Sequence, residues 1–273
     1  MTLLQSILLG ILQGLTEFLP ISSSGHLVLV PYLLNWDIPA SDAFVFDVLV
    51  QVATLLAVFV YFWNDLLAIG KAFILGLVRR APFEEPQARL GWLILLATLP
   101  AGLIGLLLKD AVEQAFASPL ATALSLLVTA ALLLVAERAG RRSRDLHNLI
   151  WLDAVWIGLA QALAIFPGIS RSGATITGGM TRNLSRPEAA RFSFLLSIPI
   201  MLAAGLLAVK DLLEIPSFTH LLPVYLPGFL AAALAGYLSI RWLLGFLTHR
   251  PLYIFSAYCT LLALLSLVVV YLR

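Results

Sequence analysis

Long apolar runs separated by short charged segments form the main pattern along this chain. Six of these runs are close to the ~20 residues that a helix needs to cross a hydrocarbon layer ~30 Å thick. The runs cover residues 43–63, 91–108, 120–136, 192–209, 224–247 and 252–272. The pattern predicts six membrane-spanning helices, with a further interfacial amphipathic helix over 66–80.

Two further apolar runs are each interrupted by a short segment that contains proline, glycine and serine. The apolar, interrupted and resumed parts cover residues 3–19, 20–26 and 27–34 in the first case and 149–166, 167–173 and 174–180 in the second. Irregular backbone at membrane depth survives only where protein or a water-filled cavity surrounds it. We therefore predict two re-entrant helix–loop–helix elements. The first run is not interpreted as a signal peptide, because it lacks a basic segment and a small-residue cleavage site and contains Glu17.

Composition agrees with a membrane protein and excludes several other classes. Hydrophobic residues make up 61% of the 273 residues and charged residues 12%, against about 25% charged residues in soluble domains. The single cysteine, Cys259, rules out a disulfide framework. A net charge of +2, without a basic patch interleaved with aromatic residues, argues against a nucleic-acid partner. We expect one membrane-embedded domain covering residues 1–273.

Lysine and arginine are distributed unevenly between the two sides that six spans define. Most of them follow the first, third or fifth span, Arg171 lies in the second interrupted segment, and the opposite side carries only Lys109, Lys210 and Arg273. Because positively charged loops are retained in the cytoplasm, the crowded side is predicted to be cytoplasmic. Both chain termini and the mouth of the first loop should then face the periplasm or the cell exterior.

The two interrupted segments are related by an internal repeat. With a shift of 148 residues, 13–25 lies over 161–173 without a gap, and seven of the 13 positions are identical. Each half, approximately 1–140 and 149–273, holds one re-entrant element and three spans, and an odd number of spans inverts the second half. We predict an all-α polytopic fold with an inverted repeat, as in many transporters. The alternative is a pair of proline-kinked helices whose serines bond back to their own carbonyls.

Each interruption is a serine- and glycine-containing turn that leads into a short helix. Exposed N–H groups and the helix dipole make such a helix start an anion site. Two such turns converging from opposite leaflets would hold a group with two anionic centres. Arg171 replaces the middle serine of the first turn and adds a planar guanidinium, which suits phosphate or carboxylate oxygens. Asp47 and Gln51, near the start of the first span, either line this cavity or sit at the membrane interface.

Glu17 and His26 are the unusual side chains of the first segment. Glu17 is the only ionisable residue of its apolar run and lies one helical turn after Gln13. A charge at membrane depth costs at least ~2.5–3.5 kcal/mol, so Glu17 is a candidate functional residue. The alternatives are that Glu17 is a structural partner of Arg171 and that His26 caps the second short helix.

Together these residues indicate chemistry on a phosphate group. Ser23 and Ser170 supply hydroxyl groups. A hard divalent cation, Mg²⁺ or Ca²⁺, held by Glu17 and Gln13, would bridge the carboxylate to a polyanionic substrate. The sequence lacks the HExxH, GxSxG and Walker A motifs. Phosphate-ester or phosphoanhydride hydrolysis therefore fits better than proteolysis, and a transporter or flippase for a phosphorylated lipid is the main alternative.

The segments 13–26 and 167–175 closely resemble the two motifs of the bacterial undecaprenyl-diphosphatase family, the bacitracin-resistance proteins. The first has Glu or Gln, three residues and then Glu, before a serine-rich loop; the second reads Pro-Gly-Ile-Ser-Arg-Ser-Gly-Ala-Thr. The resemblance, which covers the whole chain, implies hydrolysis of undecaprenyl diphosphate to undecaprenyl phosphate and phosphate. This reaction recycles the lipid carrier for cell-wall synthesis and confers bacitracin resistance. The resemblance also implies a divalent cation and a site facing the periplasmic side of the bacterial cytoplasmic (inner) membrane.

Carried over residue by residue, the resemblance implies catalytic roles for Glu17, Ser23 (nucleophile), His26 (proton transfer) and Arg171, with Glu17 also binding the metal ion. The predicted phosphate-binding residues are Gln13, Ser24, Gly25, Ser170, Arg171, Ser172, Gly173 and Thr175. Gln13 stands where the family commonly has glutamate, which weakens its assignment as a metal ligand. The attacking group stays open among Ser23, His26 and water. The sequence is silent on oligomeric state, with a homodimer as one alternative, on prenyl chain length and on whether the product is also flipped.

Overall fold

Helices form the regular structure in the part of the chain that the computed structural model describes, residues 1–213 and 218–273. The side chains of residues 40–41 and 207–221, including Lys210, lie outside the described residues. The helices are α1 (Leu3–Phe18), α2 (Ser23–Leu33), α3 (Ala40–Tyr61), α4 (Trp63–Val78), α5 (Pro86–Leu107), α6 (Lys109–Phe116), α7 (Pro119–Arg138), α8 (Trp151–Leu163), α9 (Arg171–Thr181), α10 (Arg186–Leu213), α11 (Phe218–His249) and α12 (Tyr253–Leu272). The predicted all-α fold is confirmed.

Six of these helices are long and apolar enough to cross a membrane. Their apolar segments are Asp42–Tyr61 in α3, Pro86–Leu107 in α5, Pro119–Arg138 in α7, Arg186–Leu206 in α10, Leu222–His249 in α11 and Tyr253–Leu272 in α12. The six predicted spans of a multi-pass membrane protein are therefore confirmed, with boundaries shifted by a few residues where polar residues continue a helix. The helix predicted over 66–80 corresponds to α4, whereas the short charged helix α6 was not predicted.

Two pairs of short helices occupy the positions of the predicted re-entrant elements. Residues 19–22 separate α1 from α2, and residues 164–170 separate α8 from α9. With 16 residues in α1 and 13 in α8, a rise of ~1.5 Å per residue leaves each helix short of a full crossing. Both breaks coincide with the serine-containing turns, so the predicted helix–loop–helix elements are present.

The short helices pack against spans of the opposite half: α1 lies along α11, and α8 lies along α5. Gly10 and Gly158, which are 148 residues apart, make both contacts close. A Cβ atom would lie 2.1 Å from the Gly228 carbonyl oxygen in the first contact and 2.5 Å from that of Ala97 in the second. Small residues let helix backbones approach in membranes. Each half thus packs its short helix against a span of the other half, as expected for two related halves. The inverted orientation of the halves and the repeat boundaries stay predictions.

Two buried carboxylates form salt bridges between helix ends on the side that the charge pattern predicts to be cytoplasmic. Asp153 lies at the start of α8 and Glu137 at the end of α7, and each is held by two arginines. The N···O distances are 2.7 Å from Arg144 and 2.5 Å from Arg182 to Asp153, and 2.9 Å from Arg142 and 2.5 Å from Arg186 to Glu137. Because desolvation offsets the attraction in such pairs, they contribute to defined geometry more than to net stability.

Candidate active site

The two serine-containing turns meet inside the helix bundle. A Cβ atom on Gly25 would lie 3.1 Å from Gly168 Cα, and one on Gly173 would lie 3.5 Å from Pro20 Cβ. Larger side chains at the two glycine positions would push the turns apart. The convergence that the repeat predicts is therefore present in the structure.

A serine caps the helix that starts at each turn. Ser22 Oγ accepts from Gly25 N at 3.2 Å at the start of α2, and Ser170 Oγ accepts from Gly173 N at 3.0 Å at the start of α9. The caps leave other N–H groups of the first helical turns without intrahelical partners. Because the turns touch, the positive ends of both helix dipoles lie in the same region. Both turns thus have the predicted geometry of an anion site.

A cavity of about 290 Å³ lies beside the two turns. Its polar lining consists of Glu17, Ser22, Ser23, Ser24, Gln51, Gln161, Ser170 and Arg171. Apolar residues of α5, α6, α10 and the second turn complete the wall. Five of the predicted site residues are thus brought together (Glu17, Ser23, Ser24, Ser170 and Arg171), and Gln51 takes the first of its two alternatives.

Glu17 is the centre of the hydrogen bonds at this cavity. Its Oε1 accepts from Arg171 Nη2 at 2.7 Å, and its Oε2 accepts from Ser23 Oγ at 2.6 Å and from Gln13 Nε2 at 3.0 Å. The Glu17 side chain is 6% exposed and that of Arg171 16%, so the ion pair is largely out of water and strongly coupled. The alternative that Glu17 is a partner of Arg171 is correct as far as this ion pair is concerned. Glu17 remains a candidate functional residue, because its second carboxylate oxygen accepts a hydrogen bond from Ser23.

Both ring nitrogens of His26 make hydrogen bonds to groups other than the cavity-lining side chains. Its Nδ1 lies 2.7 Å from the Ser22 carbonyl oxygen, and its Nε2 lies 2.8 Å from the Tyr258 hydroxyl. Because a carbonyl oxygen only accepts, Nδ1 carries the hydrogen, and in the neutral ring Nε2 accepts from Tyr258. Ser22, not His26, caps α2, and Ser23 donates to Glu17 rather than to the imidazole. His26 therefore holds the first turn in place. Its proton-transfer role stays a prediction.

The other predicted phosphate-binding hydroxyls of the second turn lie behind the cavity wall. Thr175 Oγ1 donates to the Arg171 carbonyl oxygen at 2.7 Å and lies 2.6 Å from Ser193 Oγ. Ser172 Oγ donates to the Leu19 carbonyl oxygen at 3.0 Å and so joins the two turns. Within the described part of the chain, these two hydroxyls support the turns and do not reach the cavity lining.

Three buried polar atoms around the site, Gln13 Oε1, Gln161 Oε1 and Arg171 Nη1, have no hydrogen-bond partner among the described residues. An unpaired buried polar atom costs about 1–3 kcal/mol, and in native proteins such atoms are usually completed by water or a ligand. Gln161 was not assigned to the site from sequence, although it occupies the position of Gln13 in the second repeat. The alignment of Gln161 with Gln13 in the repeat is the feature of the sequence that indicates its place at the site.

Comparison with known proteins places the chain in a family. The profile of the family described as "Bacitracin resistance protein BacA" matches residues 6–265, which include every residue of the cavity lining. The chain belongs to the BacA family. Membership in the BacA family confirms the resemblance carried by the two motifs, and the match extends well beyond them.

Relatives from distant organisms share the sequence over nearly its whole length. One from Chlorobaculum tepidum is 46% identical over 272 residues, covering 97% of this chain and 95% of the relative. One from Rubrobacter xylanophilus is 47% identical over 265 residues, covering 96% of each. One from Methanosphaera stadtmanae is 41% identical over 275 residues, covering 97% of each. All three are named undecaprenyl-diphosphatase.

Proposed function

We propose that this chain hydrolyses undecaprenyl diphosphate to undecaprenyl phosphate and inorganic phosphate. The observation that carries the proposal is the contact of Ser23 with Glu17, and of Glu17 with Arg171, at two helix starts that share one cavity. The name of the relatives agrees with this chemistry. The reaction recycles the lipid carrier of cell-wall synthesis. The family's description as a bacitracin resistance protein is consistent with an activity on this lipid carrier.

In the proposed mechanism the second turn binds the terminal phosphate. Arg171 Nη2 stays on Glu17, while Nη1, which has no hydrogen-bond partner among the described residues, donates to a phosphate oxygen. The N–H groups at the starts of α2 and α9 donate to the remaining oxygens. These donors are fixed in a largely water-excluded site, so they stabilise the charge that develops during transfer without having to reorganise.

In this mechanism Ser23 and Glu17 carry out the making and breaking of bonds. As Ser23 Oγ forms a bond to the terminal phosphorus, its proton passes to Glu17 Oε2, and the bond from that phosphorus to the bridging oxygen breaks, which releases undecaprenyl phosphate. Water then adds its oxygen to the phosphoserine, and Glu17 returns its proton to Ser23 Oγ as phosphate leaves. His26 keeps the Ser22 carbonyl, and with it Ser23, in position.

The donor atoms near Glu17 also suit a divalent cation. Among the described residues there is no group of three or more His, Cys, Asp or Glu side chains able to hold a metal ion. The Glu17 carboxylate and Gln13 Oε1, which has no partner in the described part of the chain, are nevertheless hard oxygen ligands. Mg²⁺ commonly binds one or two protein oxygens together with substrate phosphates. We propose that these two residues hold Mg²⁺ or Ca²⁺ with the substrate, where the cation would neutralise charge on the diphosphate.

We further propose that the protein lies in the bacterial cytoplasmic membrane, with both termini and the cavity on the periplasmic side. The uneven distribution of lysine and arginine supports this orientation. Cysteine labelling of single-cysteine variants in intact cells tests it, and cross-linking in membranes separates a monomer from the homodimer that the sequence leaves open.

The experiment that tests the function is phosphate release from undecaprenyl diphosphate by the purified protein in detergent, with and without EDTA. We expect release by the wild type and loss of release with EDTA, restored by added Mg²⁺ or Ca²⁺. A folded wild-type protein that releases no phosphate but moves a labelled polyprenyl phosphate across reconstituted vesicles would instead support the flippase alternative.

A further inference from the structure

A second cavity, of about 550 Å³, lies next to the candidate active site. It is a groove between α5, α7, α8 and α9 that runs from Ile165 and Phe166 of the second turn toward Trp156 and Thr181. Ile165 lines both this groove and the polar cavity. The two spaces are therefore adjacent, and one side chain forms their common border.

The groove owes its depth to small residues. Ala162, Ala174, Thr177 and Gly178 are buried at its floor, while larger side chains from α5, α7 and α8 form the walls. Because the small residues come from helices that pack closely, the indentation is part of the helix contact rather than a gap between loosely placed side chains.

The few polar atoms of the groove are already satisfied. Thr177 Oγ1 donates to the Gly173 carbonyl oxygen at 2.7 Å. Trp156 Nε1 donates to Thr181 Oγ1 at 2.9 Å, and that hydroxyl donates to the Gly178 carbonyl oxygen at 2.8 Å. The groove thus presents a surface of carbon atoms with no polar group left to bind a polar ligand. A purely apolar occupant fits it.

We infer that this groove holds the prenyl chain of the substrate, beginning with the units next to the diphosphate. The inference rests on the proposed function. With the diphosphate in the polar cavity, the prenyl chain must pass out of that cavity over an apolar part of its wall. Ile165, which lines both spaces, lies at that place. A prenyl chain is wider than an unbranched acyl chain because of its methyl branches, and the small floor residues leave room for them. Since transfer from lipid to an apolar groove gains little hydrophobic energy, the groove selects by fit.

The test compares two substrates, undecaprenyl diphosphate and the C5 compound dimethylallyl diphosphate, whose single prenyl unit is too short to fill the groove. Ala160→Phe fills the groove from α8, where Ala160 is half-buried. Ala231→Phe is the matched control, because Ala231 is a similarly half-buried alanine on α11, away from the groove. We expect Ala160→Phe to lower the ratio of kcat/KM for the long over the short substrate by about tenfold or more, the scale of a steric mismatch in an apolar pocket. The control should keep the wild-type ratio.

Each outcome has a defined meaning. A wild type that releases phosphate from neither substrate contradicts the proposed function itself. A wild type that is active, together with an Ala160→Phe variant that keeps the wild-type ratio, overturns the groove and leaves ordinary membrane lipid as its occupant. Ala160→Phe could lower activity either by distorting the polar site or by filling the groove. Val135→Trp separates these two effects, because it narrows the same groove from α7, a helix that supplies none of the hydrogen bonds to Glu17. If Ala160→Phe slows both substrates equally and Val135→Trp keeps the wild-type ratio, the inference is also wrong.

Discussion

The two turns at the centre of the molecule share a backbone plan and differ in chemistry. Each places a capping serine before a short helix and a glycine three residues later. Three pairs of residues, each 148 positions apart, differ in kind: Glu17 and Ile165, Ser23 and Arg171, and His26 and Ala174. The first helix–loop–helix element therefore carries the carboxylate and the hydroxyl, while the second carries the fixed positive charge and borders the apolar groove.

The difference shows how a duplicated element can divide the parts of one reaction. The shared features, a capped helix start and a close glycine contact, are what an anion needs, and both turns keep them. The groups that move protons in the proposed mechanism belong to the first helix–loop–helix element, and Arg171 of the second element contacts them through its ion pair with Glu17. Variants that affect only one turn should therefore change either the rate of the chemical step or the binding of substrate.

Ser23→Ala should have the largest effect, because it removes the hydroxyl that donates to Glu17 and, in the proposed mechanism, the nucleophile. We expect kcat to fall by about 10⁴-fold or more, the scale seen when a nucleophile is deleted. Ser24→Ala is the matched control, since Ser24 also lines the cavity but contacts Ser22 rather than Glu17. Phosphate release at saturating substrate is the measurement. If Ser23→Ala keeps kcat within about tenfold of the wild type, Ser23 is not the attacking group, which leaves water or His26.

Glu17→Gln should rank second. The amide keeps an oxygen acceptor at the site but cannot take the proton of Ser23, so kcat should fall by about a thousandfold, within the range for general-base catalysis. Asp65→Asn is the control, because it breaks an ion pair with Arg191 outside the cavity and should leave kcat unchanged. Thermal melting of both variants checks folding. A folded Glu17→Gln protein with wild-type kcat would remove Glu17 from the proton transfer.

Arg171→Lys tests the second turn with a smaller expected effect. Lysine keeps the positive charge beside Glu17 but loses the planar donor fork that includes the unpartnered Nη1. We expect KM to rise about tenfold or more, with a smaller change in kcat, because charge-assisted bonds to phosphate are lost. Arg191→Lys, at the half-buried pair with Asp65, is the control. An unchanged KM in Arg171→Lys would argue that this residue does not touch the substrate.

Two replacements of His26 give the smallest expected difference and separate its two candidate roles. Asparagine can still donate to the Ser22 carbonyl, as Nδ1 does, whereas glutamine can reach only the Tyr258 side. If His26 positions the turn, His26→Asn should be several-fold more active than His26→Gln, the scale of one hydrogen bond, and should keep the wild-type pH profile. Equal loss in both variants, with one limb of the pH profile missing, would indicate direct proton transfer by His26.

Much of the fold could be predicted from the sequence because the relevant signals are local. The length of apolar runs is enough to place the six spans, and proline, glycine and serine mark both broken elements. The grouping of Glu17, Ser23 and Arg171 follows from the repeat, since two matching segments in one membrane domain must meet if they form a common site. The same repeat aligns Gln161 with Gln13, and that identity is the local signal that assigns Gln161 to the site.

Partners chosen by packing could not be predicted. Tyr258 bonds to His26 across 232 residues, and no local pattern marks one tyrosine of α12 over another. Thr175 matches the family motif but bonds to Ser193 on α10, because α9 packs with that face against α10. A motif therefore shows which residues belong to the site region, whereas contact with the cavity depends on how the short helices rotate in the bundle.

The central claim is that the first turn performs the proton chemistry while the second holds the anion. Single-turnover measurements with radiolabelled undecaprenyl diphosphate test it most directly, because they report bound substrate and the rate of phosphate release separately. We predict that Glu17→Gln, at saturating substrate and Mg²⁺, releases phosphate about a thousandfold more slowly than the wild type, whereas Arg171→Lys binds the substrate weakly and approaches the wild-type rate when saturated. A wild-type rate of release in saturated Glu17→Gln, with a slow chemical step but normal binding in Arg171→Lys, would contradict the account.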